Sequence, residues 1–328
     1  MESAESFFGK EIRGMIAAVH ERLFEPFLDE VDGILCVPAK STSEEIEDRA
    51  SVQGLRFPLC LDVNTPLCDQ IAASSHAPAS SRFGPFLDNI TGMNWELPDG
   101  RRVRLGERVV KSTTGYDLLR FLLGTGNRFG RPIDHVLRLR PACDWERRAF
   151  FKGERRALKA AASEIVHSSF LHWLESVDWL ENGKDESPSL RIDAHTESSE
   201  ASIFYDFLSG VAERQAVRVE FQNTGDGKPD GCPDLVLKTS PDQVIELAEK
   251  AASLHPVRCV ALCYCAVTHV YLPPESDPAI DVPRIAEPLA DGLHARGGDW
   301  HSRHIQTPPS NDEKEWVEVL AREWGAGP

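Results

Sequence analysis

The chain has 328 residues, 41% hydrophobic and 27% charged, with a formal charge of -16; this is a globular balance, and the length suggests about two domains. Its 52 acidic side chains against 36 basic ones make a field that repels phosphate backbones, which speaks against nucleic acid as a partner. The longest apolar runs, Ile34 to Ala39 and Val257 to Val267, fall short of the ~20 residues a membrane-spanning helix needs.

The acidic start Met1 to Ser6 does not read as the basic region of a secretory signal, so a cytoplasmic protein is expected. Eight cysteines spread over such a length are too sparse for a disulfide scaffold.

Phe7, Phe8, Ile12, Ile16, Val19, Leu23 and Phe24 recur at helical spacing, so residues 1–32 read as an amphipathic helix that Pro26 ends or kinks. Ile34 to Pro38 reads as a buried strand, and a helix begins at Ser43 with a cap among Ser41 to Ser43, ending near Gly54. From Leu59 to Pro141 short apolar runs alternate with Gly, Pro, Asn and Asp, which predicts strands and turns with one helix, Tyr116 to Leu123. Within this stretch, Asp99-Gly100 between Met93 to Pro98 and Arg101 to Leu105 predicts a hairpin. Val136 to Arg140 reads as a half-exposed strand.

A second region opens at Asp144. Its basic start is expected to run as helix to about Leu180, followed by a strand (190–195), a helix (202–215) and a strand (217–221). A strand (235–238) and a helix from Ser240, with Pro241 in its first turn, come next. Strands 257–265 and 269–272, a helix 282–295, a strand 299–305 and a helix 312–324 complete an α+β unit.

The run Arg108-Val-Val-Lys111-Ser-Thr-Thr-Gly115-Tyr116-Asp117-Leu-Leu, the glycine loop Gly124 to Gly130 and the close Leu137-Arg-Leu-Arg-Pro141 resemble a signature of the FAD-linked oxidases. Within that family the pattern most resembles the FAD-binding subunit of bacterial glycolate oxidase, with the PCMH-type, vanillyl-alcohol oxidase fold. Ala72 to Gly84 lies without gaps on the family's Ala-Thr-Asn loop and the Arg-Tyr-Gly that follows it. The resemblance covers Gly33 to Pro141, and Ala266 to Pro273 resembles part of the substrate cap more weakly.

The resemblance implies a partial PCMH-type FAD-binding domain at 33–143, its second subdomain, and an α+β cap at 144–328. It implies FAD as cofactor, held by Ala73, Ser74, Lys111, Gly115, Tyr116, Asp117, Gly124 and Gly130, and oxidation of a small 2-hydroxy acid by hydride transfer to the flavin. It also implies partners, namely a full-length FAD-linked oxidase subunit and an iron-sulfur subunit. Tyr116 and Asp117 equally suit packing and capping of the helix they precede.

Departures from the pattern open a second reading. No Arg-Gly-Gly-Gly-Thr type pyrophosphate loop precedes Gly33, unless residues lie upstream of Met1. The family's paired glycines fall on Cys68 and Asp69, and a later glycine and threonine fall on Asn127 and Arg128. Glycines matter there because only they let backbone N–H groups approach a phosphate closely. The second reading is a flavin-free relative that serves as partner or scaffold for a full-length oxidase.

Cys263-x-Cys265 with His269 has zinc-binding residue types but no visible fourth ligand, so no metal is expected. His294, His301 and His304 with Arg296 and Arg303 read as surface polar residues. Neither a Gly-x-Ser-x-Gly elbow nor a P-loop occurs, against the commonest hydrolase and NTPase classes.

Overall fold

The computed structural model describes residues 23–97, 100–106, 118–124, 129–183, 186–222, 230–294 and 298–304. In the first part the order is β1 (Phe27–Asp29), β2 (Ile34–Pro38), α1 (Ser43–Ser51), β3 (Leu55–Arg56), α2 (Leu67–Ala73) and α3 (Ser80–Phe83). β4 (Ile90–Glu96), β5 (Arg102–Gly106), α4 (Leu118–Gly124), β6 (Arg131–Arg138) and β7 (Arg140–Pro141) follow. β1-β2-β6-β4-β5 is one antiparallel sheet, and β3 pairs with β7 beside it.

Local chemistry explains these elements. The β1–β2 turn carries Gly33 at φ 62°, and the β4–β5 hairpin carries Gly100 at φ 84°, a region closed to most side chains. α1 starts on Thr42, whose hydroxyl accepts from Glu45 N at 3.2 Å while the Glu45 carboxylate accepts from Thr42 N at 3.1 Å. This capping box satisfies two backbone donors left over at the helix start. Leu35, Val37, Met93, Trp95 and Leu137 from the sheet pack with Ile46, Leu67, Phe86 and Leu122 as one core.

The second part runs β8 (Trp145–Lys152), α5 (Arg155–Val166), β9 (Leu174–Glu181), β10 (Ser189–Thr196), α6 (Ala201–Arg214) and β11 (Arg218–Gln222). β12 (Leu235–Lys238), α7 (Val244–Leu254), β13 (Arg258–Leu262), β14 (Val267–Tyr271), α8 (Pro278–His294) and β15 (Asp299–His301) close it. An antiparallel eight-stranded sheet of order β11-β8-β10-β9-β13-β14-β12-β15 results. Leu158, Ile165, Leu208, Val244, Ala251 and Ile285 of the helices pack on Phe151, Trp179, Ile192 and Val270 of one sheet face.

Several sequence expectations are corrected. Residues 145–152 and 174–181 are strands rather than parts of one long helix, with helix only at Arg155–Val166. Leu67–Ala73 is a helix where strand and turn were expected, and α7 begins at Val244, not at Ser240. Phe27–Asp29 is a strand at the sheet edge rather than the end of a helix. The opening helix as far as residue 22 and the closing helix 312–324 lie outside the described residues.

Candidate functional site

Strand alternation gives the eight-stranded sheet its second face. On β10, Leu190, Ile192 and Ala194 enter the helix-side core, so Arg191, Asp193 and His195 point the other way, toward the five-stranded part. On β14, Val270 enters that core while Val267, His269 and Tyr271 take the opposite face. β9 is bulged: Asp193 pairs with Ser176 but Ala194 with Leu174, leaving Glu175 as the extra residue. A bulge re-aims its side chain. Here Glu175 pairs with Arg56 of β3.

This face carries a compensated charge network. Arg148 grips Asp193 through two bonds of 2.6 and 3.0 Å. Arg191, 5% exposed, donates to Asp178 Oδ2 at 3.1 and 2.8 Å and reaches Asp230 at 2.7 Å. Arg258 holds the other oxygen of Asp230 at 2.6 Å and stacks 4.0 Å from the Tyr271 ring centroid.

The two aspartates titrate in opposite directions. Burial pushes Asp178 up to about 6 because Arg191 alone does not offset it, and its Oδ1 has no partner. Burial also works against Asp230, but Arg191 and Arg258 together hold it at about 2. Arg148, Arg191, Asp193, Asp230, Glu175 and Tyr271 line a cavity of about 140 Å³ that Pro58, Leu61 and Pro78 close from the first part.

The Ala72–Gly84 stretch lies directly on this sheet. Ser74 is fully buried and Ala73 is 2% exposed. The Ser74 hydroxyl donates to the His76 carbonyl at 2.9 Å, accepts from the His76 N–H at 3.1 Å, and lies 2.9 Å from His269 Nε2. One proton and two lone pairs are all a serine hydroxyl has, so His269 is the donor, protonated at Nε2. Nearby, the His301 ring bonds the Ala73 backbone.

The His269 and His301 rings thus meet two of the residues expected to hold FAD, with the His76 ring beside them on Ser75 at 2.9 Å. Burial lowers His76 to about 4, with Lys238 adding to the effect, and lowers His269 to about 3. His301 drops to about 4, by burial and then by Lys238. All three are neutral at pH 7. His301 is therefore part of the interface between the sheets, which corrects its reading as a surface residue. His304, with Arg303, binds Asp234 at 2.8 Å.

Gly130 has a structural task. At φ 116°, a Cβ there would lie 2.0 Å from the Glu96 carbonyl oxygen and 2.7 Å from Trp95 Nε1, and Trp95 Nε1 donates to the Phe129 carbonyl at 2.8 Å. The glycine lets β6 start against β4. Gly124 is the last residue of α4. Lys111, Gly115, Tyr116 and Asp117 lie outside the described residues. Cys263 Sγ donates to the Ala261 carbonyl and Cys265 contacts Ser81, so the two thiols and His269 have separate partners. Among the described residues no three metal-ligating groups come together.

The Ser74 hydroxyl has no donor or acceptor left over, and Ala73 is buried at 2% exposure. The described residues do not fit a flavin at this loop.

No protein-family model matches the chain. It is 30% identical over 95 residues to the mitochondrial D-lactate dehydrogenase [cytochrome] of Arabidopsis thaliana, covering 29% of this chain and 17% of that protein. Over 122 residues it is 25% identical to a D-lactate dehydrogenase of Archaeoglobus fulgidus, covering 37% and 28%. Over another 122 it is 26% identical to a D-2-hydroxyglutarate dehydrogenase of Xanthomonas citri pv. viticola, covering 36% and 26%. The chain therefore spans less than a third of the length of each of these relatives. An alkyldihydroxyacetonephosphate synthase structure superimposes with a TM-score of 0.63 at 11% identity, over 92% of this chain and 65% of that one. In sequence over about a third of its length, and in fold over nearly all of the chain, the protein resembles the PCMH-type FAD-linked oxidases.

Proposed function

We propose that the chain is a subunit of an FAD-linked oxidoreductase acting on 2-hydroxy acids, in which a full-length FAD-linked oxidase partner carries the flavin. The observation behind this reading is the saturated hydroxyl of Ser74 under His269. Where the family resemblance calls for cofactor contacts, the chain spends its polar groups on joining its own two sheets. The substrate class rests on the relatives, since D-lactate and D-2-hydroxyglutarate are both 2-hydroxy acids. An iron-sulfur subunit as a further member of the assembly rests on the resemblance to glycolate oxidase alone.

A second reading has this chain bind FAD and oxidise the 2-hydroxy acid itself, and the activities named for those same relatives favour it. The two readings separate in one assay. The purified chain is mixed with excess FAD, D-lactate or D-2-hydroxyglutarate, and an electron-accepting dye. The proposal expects no dye reduction beyond that of free FAD. Sustained turnover by the chain alone would replace it with the second reading.

A further inference from the structure

The pairing of β3 with β7 sets Arg56 directly opposite Arg140, an arrangement of like charges that destabilises a ladder. A third guanidinium joins them from α3. Arg56, Arg82 and Arg140 lie 5.6, 5.2 and 5.4 Å from the centroid of one ring, Phe83. Cation–π contacts at partly exposed sites contribute about 0.5–1 kcal/mol each, so the ring accounts for part of the cluster only.

The partners of these arginines are uneven. Arg56 pairs with Glu175, yet its buried Nε has no partner. Arg82 donates to the His195 carbonyl at 2.9 Å. Arg140 donates to the Leu139 carbonyl at 3.1 Å and to Asn89 Oδ1 at 2.9 Å. Among the described residues, neither Arg82 nor Arg140 has a carboxylate partner. The charges facing Arg140 are Arg138 and Arg56, and with burial as the larger cause they bring it down to about 10.

The acidic groups around the cluster answer Arg56 and His195 rather than Arg82 or Arg140. Glu146 lies 3.0 Å from His195 Nδ1 and Glu175 lies 3.7 Å from the same atom, in addition to its pair with Arg56. Glu47 of α1 faces Arg56. In a chain with a formal charge of -16, Arg82 and Arg140 are two guanidiniums on neutral acceptors, with Arg138 close to Arg140 and Arg56 answered by Glu175 and Glu47.

We propose that the face around Phe83 binds a phosphate dianion, free or as the phosphate group of a small molecule, through Arg82 and Arg140. A guanidinium offers its donors as a planar fork that matches oxyanions bidentately. Two forks from different elements supply more donors than the two oxygens of a carboxylate use, and a dianion offsets the repulsion between Arg140 and its cationic neighbours.

The test is thermal unfolding of the full chain in inorganic phosphate against chloride at matched ionic strength, with D-lactate as the monocarboxylate arm. Wild type is expected to show a saturable rise in Tm with phosphate and none with D-lactate. Arg140→Gln and Arg82→Gln are each expected to weaken the apparent Kd for phosphate about 10-fold or more, the effect of losing a hydrogen bond to a charged group. Should Arg140→Gln fail to fold, Arg82→Gln, whose side chain is exposed, carries the test alone. Absence of a saturable phosphate effect, an unchanged Kd in Arg82→Gln, or an equal response to D-lactate would overturn the proposal.

Discussion

A hydroxyl with three partners and a glycine with no room show how residue identity is spent in this chain. Ser74 and Gly130 both fall in motifs that resemble cofactor loops, yet each serves packing. Ser74 joins the two sheets across 195 residues of sequence, a distance at which no local pattern reveals a partner. The sequence signal for His269 was a metal reading with Cys263 and Cys265; what it lacked was the burial that keeps the ring neutral and turns it into a donor. Gly130→Ala places a Cβ against the Glu96 carbonyl in a left-handed conformation. It is expected to destabilise the fold by about 3 kcal/mol, the sum of overpacking and backbone strain. A urea unfolding curve within about 0.5 kcal/mol of wild type would refute that role.

Among the elements, those with strong local chemistry were legible and those defined by long-range pairing were not. The Ile34–Pro38 strand, the hairpin with Gly100, the strand Leu235–Lys238 and the helix over 201–214 follow from alternation, turn residues and helical spacing. The basic start from Asp144 reads as one helix to about Leu180, whereas 145–152 and 174–181 are strands paired over long range. On β9 the bulge at Glu175 shifts the phase by one residue, so that Leu174 and Val177, three apart, both face the helix-side core. The bulge also directs Glu175 to Arg56 and His195, so it helps build the interface. At α1, the Thr42 capping box predicts that Thr42→Ala lowers stability by about 1 kcal/mol, measured by urea unfolding. A change below about 0.3 kcal/mol would mean that the first turn is held by other contacts.

For the whole molecule, the family resemblance carried the fold, and the chain's own side chains decide how its two sheets meet. That interface predicts a pH dependence whose sign is fixed by its histidines. His76, His269 and His301 titrate at about 4, 3 and 4 when folded, against about 6.5 when unfolded. Below pH 6.5 the unfolded chain binds protons the folded chain refuses, so their contribution is complete above pH 6.5 and is lost as pH falls toward 4. Asp178, raised to about 6, works in the other direction between its unfolded value of about 3.9 and 6, but it is one group against three. The urea midpoint is expected to be lower at pH 5 than at pH 7, with a smaller drop in His269→Gln. A midpoint that rises at pH 5 would contradict this account of the interface.

Ala73 and Ser74, covered by histidines of the eight-stranded sheet, offer a flavin no free side-chain hydroxyl at the loop where the resemblance calls for one. The visible absorption spectrum of the purified chain tests this directly, recorded before and after incubation with excess FAD and desalting, with a denatured sample to detect covalent flavin. The expected result is a folded, colourless protein that retains no FAD. A stoichiometric flavin band that survives desalting would contradict it and make this chain the flavin carrier.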